Sequence, residues 1–104
     1  MATSEDFKNF VLECLKNTNL GFIFSARKMF GNYCIYVHLN EKKPLFLLCD
    51  ERLFIKCYEG LETLLDEKDK PFEKAKDWYV VDFENLSLLE EILEKVLRRE
   101  NAKI

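Results

Sequence analysis

Three apolar runs, Tyr33 to Leu39, Pro44 to Cys49 and Arg52 to Cys57, are separated by the polar tips Asn40-Glu41-Lys42-Lys43 and Asp50-Glu51. Tips that short leave no room for a crossover, so the runs can pair only as consecutive antiparallel hairpins. The middle of the chain is therefore a meander. Phe22 to Phe30, β-leaning through Ile23 and its aromatic neighbours, supplies a strand ahead of it, and Gly31 separates the two. Glycine reaches φ > 0 without a Cβ clash, so Gly31 is expected to force a turn or bulge. Met29, Phe30, Gly31 and Tyr33 read together as a structural corner, with at least one of Met29 and Phe30 in the core. On that reading Phe30→Ala costs ~3–5 kcal/mol.

Outside the meander the period changes. Phe7, Phe10, Val11, Cys14 and Leu15 recur at helical spacing, with Thr3 or Ser4 as cap and Glu5 and Asp6 in the first turn. Leu61, Leu64 and Leu65 predict a short helix over Gly60 to Lys68, stopped by Pro71. Trp78 to Phe83 is the last strand, being aromatic and β-branched. Ser87 and Glu90 form a capping-box signature, and Leu89, Ile92, Leu93, Val96 and Leu97 continue as one apolar stripe. Helices at both ends and an antiparallel sheet between them predict an α+β fold, a two-layer sandwich in a single domain over residues 1–104.

Composition narrows the function. Nine Phe and 48% apolar residues suffice for a core that needs neither disulfide nor metal. A net charge of −3 argues against non-specific nucleic-acid binding, which needs a concentrated basic surface. Cys14, Cys34, Cys49 and Cys57 form no CxxC pair and sit within apolar patterns, as reduced cysteines do. The N-terminus lacks the basic start and apolar run of a signal peptide, and no run approaches the ~20 apolar residues that span a bilayer. A soluble, cytoplasmic protein without membrane contact is expected.

Catalysis would need a nucleophile, a base and an orienting group. His38 is the single histidine, and its bland reading is a partly exposed strand residue near a hairpin tip. A dyad of His38 with Cys34 or Cys49, or a zinc site from the same three residues, has no supporting spacing. No catalytic residue, metal or cofactor is expected. Arg27, Lys28, Arg52 and Lys56 could form a basic patch near Tyr33, Tyr36 and Phe54, a mixture that suits single-stranded nucleic acid. In a net-acidic chain such residues are more often ordinary surface charges.

If the Asn40–Lys43 tip pairs Leu39 with Pro44, then Val37 faces Phe46, Ile35 faces Leu48 and Cys34 lies opposite Cys49. Alternation then assigns Ile35, Val37, Phe46, Leu48, Leu53 and Ile55 to the helix-covered core. Cys34, Tyr36, His38, Leu45, Leu47, Cys49 and Phe54 fall on the other face, too apolar for a solvated sheet surface. This face is expected to bind a protein partner or a second copy, and Leu47→Glu to yield a folded monomer.

At Lys28-Met29-Phe30-Gly31, followed by Tyr33 and Ile35-Tyr36, the chain resembles the TfoX (Sxy) N-terminal domain family. The likeness continues through Asp50-Glu51-Arg52-Leu53-Phe54-Ile55-Lys56, Pro71-Phe72, Trp78-Tyr79-Val80-Val81 and the leucine-rich last helix. Asn32 and Cys34 depart from it, standing where small residues are common, as does Asp82, where a proline often follows the strand. The resemblance implies an α+β fold like that of secretion chaperones, a bacterial origin and no catalytic residues. Two-domain members look like regulators of DNA-uptake competence genes that act with the transcription machinery. This chain ends at Ile104, so their second domain is expected to be absent. A non-enzymatic regulatory or protein-interaction module is the expectation. The alternatives are a nucleic-acid-associated accessory protein using the Arg27 and Lys28 region, and a small thiol-dependent enzyme.

Overall fold

The computed structural model describes residues 4–18 and 20–98. Helix α1 spans Glu5–Lys16, and Ser4 caps it, its Oγ accepting from the Phe7 N–H at 3.1 Å. Thr3, the other candidate cap, lies outside the described residues. Strands follow at Ile23–Met29 (β1), Asn32–His38 (β2), Lys42–Cys49 (β3), Arg52–Ile55 (β4), Lys68–Asp69 (β5) and Trp78–Val81 (β6). Helix α2 spans Leu86–Leu93 and continues as a π-helical stretch over Glu94–Arg98. The strands form one antiparallel sheet in the order β1-β2-β3-β4-β6-β5. The α+β arrangement expected from the sequence is present.

Val11 and Leu15 of α1, and Leu89, Ile92, Leu93, Val96 and Leu97 of the C-terminal helix, share one buried cluster with Ile35, Val37, Phe46, Leu48, Leu53 and Ile55. Removing such side chains from water is the main favourable term in folding. Alternation places Cys34, Cys49 and Phe54, which are buried outside that cluster, on the opposite face. No helix among the described residues is long and apolar enough to cross a membrane.

Several expectations require correction. Gly31 does force a turn, at φ 82°, but Phe30 beside it is 100% exposed and Met29 42%. Neither belongs to the core; of the corner residues only Tyr33 is buried. The physical reason is a two-residue turn, which lifts Phe30 off the ladder with nothing beneath it. The β2–β3 register also differs: Ile35 faces Phe46, Cys34 faces Leu47, and Val37 faces Lys43. A bulge between the Ile35 and Tyr36 pairings leaves Leu45 as the extra residue, and it turns into the core cluster rather than the outer face. Pro44 sits at this bulge and beyond the last β3–β4 pair, Phe46↔Ile55, where its missing N–H is tolerated. The predicted helix at 60–68 is only a 3₁₀ turn at Leu61–Thr63, followed by β5. Asn85, not Ser87, caps α2, its Oδ1 accepting from the Leu88 N–H at 3.2 Å.

Candidate functional site

Two-residue hairpins favour turns with φ > 0 at both central residues, because that backbone matches the twist of the strands it joins. Phe30 and Gly31 adopt this form, with φ 51° and 82°, and Met29↔Asn32 closes the ladder below them. A bulky side chain in the left-handed region costs roughly 1–2 kcal/mol. The sequence thus holds a fully exposed aromatic ring on a short, strained turn.

Beside this tip lies an apolar groove of about 460 Å³, lined by Met29, Phe30, Asn32, Tyr33, Leu47, Cys49 and Phe72. Its far wall comes from the segment before β6, where Pro71 is buried and Phe72 stands 54% exposed. The Ala75 N–H donates to the Phe72 carbonyl at 3.0 Å and closes that segment into a turn. Three of the large apolar side chains with high exposure, Met29, Phe30 and Phe72, therefore meet around one depression.

The rest of the outer face is better covered than its composition suggests. Phe54 is fully buried beneath the Arg52 guanidinium, 4.9 Å from its ring centroid. Lys42 lies 5.0 Å over Tyr36, and Lys56 lies 5.9 Å over Trp78. Long cationic side chains thus lay their stems on aromatic surface and keep their charge in water. Of the seven residues expected to form an interaction face, Cys34, Cys49 and Phe54 are buried, and Leu45 belongs to the core. Tyr36 and Leu47 are half-buried, and His38 is exposed at the end of β2. What remains accessible lies at the two ends of the face, around Ile23 and His38 at one and beside the Phe30 turn at the other.

Three of the four basic candidates, Arg27, Arg52 and Lys56, share the outer face, and the fourth does not. Arg27 pairs across from Cys34 on the outer face, whereas Lys28 pairs with Tyr33 and so points to the helix side. Arg52 donates to Asp69 Oδ2 at 2.9 Å, and this guanidinium holds the Asp69 carboxyl below its ordinary range, assisted by the Lys70 N–H at 2.8 Å. Lys56 is engaged by Trp78.

The thiols are dispersed. Burial pushes Cys34 and Cys49 above the ordinary thiol pKa, and burial with the nearby Glu84 and Glu13 charges does the same for Cys14. A raised pKa removes thiolate, the nucleophilic form. His38 Nε2 sits 2.8 Å from Ser25 Oγ, four residues along the strand from Cys34, a separation of about 13 Å at strand rise. Among the described residues no three His, Cys, Asp or Glu side chains are placed to hold a metal ion.

Sequence reading missed Phe72 and the exposure of Met29 and Phe30. A signal existed: Phe72 is the one apolar side chain of its size in the polar stretch 66–77, and Phe-Gly sits between pairable strands. Compared with protein-family models, curated proteins and solved structures, the chain matches none.

Proposed function

We propose that this chain is a non-enzymatic protein-interaction module whose contact surface is the groove between the Phe30 turn and Phe72. One observation carries the reading: Phe30 is fully exposed on a backbone strained to present it. Strain of that kind recurs at functional positions, and exposed aromatic anchors beside a pocket are how protein interfaces concentrate their energy. The groove volume falls within the roughly 300–1,000 Å³ typical of binding clefts, which fits an apolar side chain inserted by a partner protein. The resemblance to the TfoX N-terminal domain family supports a regulatory or protein-interaction role in a bacterial cytoplasm. A nucleic-acid role has weaker support, since Arg52 is neutralised by Asp69 and Lys28 faces the other side.

The test is photo-crosslinking in cells from positions 30 and 72, with position 86 as an exposed apolar control. The reading expects one protein to be captured from both groove positions and not from position 86, with capture lost in Leu47→Glu. Identical adducts from all three positions, or none from the groove, would overturn it.

A further inference from the structure

The sheet ends unequally. At one edge β5 is two residues long, while at the other β1 runs for seven with β2 as its single neighbour. The two-residue turn makes Met29↔Asn32 a hydrogen-bonded pair, so Met29, Arg27, Ser25 and Ile23 spend their backbone groups on β2. The N–H and C=O groups of Phe24, Ala26 and Lys28 consequently point away from the sheet. Among the described residues they find no backbone partner. A long open edge of this kind is a template for another strand, and proteins that must stay monomeric shorten or cover it.

We infer that β1 is the seam of a homodimer, with its two-fold axis through Ala26 and perpendicular to the sheet. Antiparallel pairing about that point sets Ala26 against Ala26 of the second copy and Phe24 against Lys28. Each of these pairs exchanges two backbone hydrogen bonds, so the register uses every outward-facing group. The side chains are self-complementary in the same register. On the groove-bearing face, Ile23, 66% exposed, meets Met29, 42% exposed, and Ser25 meets Arg27. On the helix side, Lys28 lies across the Phe24 ring, beside a cleft of about 320 Å³ between α1 and β1. Glu13 and Asn9 line that cleft and accept the ammonium group; Lys16, one turn along α1 from Glu13, lines it too. No cation lies directly opposite its own copy in this register, although Arg27 and its copy are diagonal neighbours across the axis, whereas a two-fold through Arg27 or Lys28 would oppose like charges directly. The two six-stranded sheets become one, and this seam does not depend on the reading of the groove.

The interface is one strand wide, so the dimer is expected at the weak end of specific association, with a Kd of about 10 μM. Sedimentation velocity over about 1–500 μM should show a reversible monomer–dimer equilibrium. Ala26→Pro removes an N–H that faces only the open edge, a position where proline is tolerated, and should weaken the dimer at least about tenfold. Because proline could also disturb folding, the exposed pair gives a second measure. Ile23→Lys with Met29→Lys opposes two lysines at each end and should leave monomer. Ile23→Lys with Met29→Glu sets each lysine against a glutamate and should restore the dimer. Phe30→Ser should leave the equilibrium unchanged, which separates the seam from the groove. A chain monomeric at the highest concentration, or a dimer that survives the double-lysine variant, overturns the inference. Loss of dimer with Phe30→Ser alone would also overturn it.

Discussion

The hairpin turns at Phe30-Gly31 and Asp50-Glu51 share a backbone and differ in what they do with it. All four residues have positive φ, at 51°, 82°, 52° and 59°, and each pair joins two strands directly. In the second turn the strain is offset within the molecule: Glu51 accepts from the Ser4 N–H at 2.8 Å and from Ser4 Oγ at 3.4 Å, tying the sheet to the start of α1. In the first, Phe30 is fully exposed and its ring is left to solvent. One turn is an internal fastening, and the other is strained without a matching gain inside the chain. That asymmetry is why the first is read as a contact point.

Four changes test the contrast. The largest effect is expected from Gly31→Val, which forces a β-branched residue into the left-handed region and should cost about 2–3 kcal/mol by urea denaturation. Ser4→Ala comes next, losing the α1 cap and one bond to Glu51, at about 1 kcal/mol. Combined with Glu51→Gln, it should cost less than the sum of the two single changes, because they share one interaction. Phe30→Asn acts in the opposite direction. It creates the Asn-Gly pair that this turn prefers and should raise stability by about 0.5–1 kcal/mol while abolishing the crosslinks from the groove. A destabilised Phe30→Asn would mean that the ring packs within the chain and the contrast fails.

The smallest effect concerns Asp69, whose carboxyl is held low by Arg52, the residue that follows the Asp50-Glu51 turn. A depressed folded-state pKa gives a contribution present above the unfolded carboxylate pKa and lost as pH falls through the folded value. Wild type and Asp69→Asn should therefore differ in melting temperature near neutral pH and converge below about pH 4. Thermal melts across pH check this, and parallel curves throughout would contradict it.

Much of the fold was legible because it rests on period and spacing. The α1 stripe, the Ser4 cap and the meander order all follow from local pattern, as does the division of Ile35, Phe46, Leu48, Leu53 and Ile55 from Cys34 and Phe54. What was illegible depended on one residue more or less in a loop. The bulge at Leu45 reverses a face assignment that strict alternation makes confidently, and a two-residue turn moves Phe30 from core to solvent. The α2 cap was misplaced because Asn85 and Ser87 are both good caps, and the helix starts from the earlier one. Of the site itself, Leu47 and Cys49 were readable from alternation. Phe72 was not, because its position depends on a segment without period folding back over β3.

The strand order carries a kinetic consequence. Strands β1 to β4 pair with their sequence neighbours, so each hairpin closes a short loop and adds little to contact order. The β5–β6 hairpin differs, because β6 must enter beside β4 across residues 56–77, with β5 outermost. Until it arrives, β4 presents an open edge bearing Leu53, Phe54 and Ile55, an apolar strand open to aggregation. Trp78, the sole tryptophan, sits at the leading end of the arriving strand. Its fluorescence during refolding therefore times the closing of that edge, while far-UV circular dichroism follows the growth of the meander.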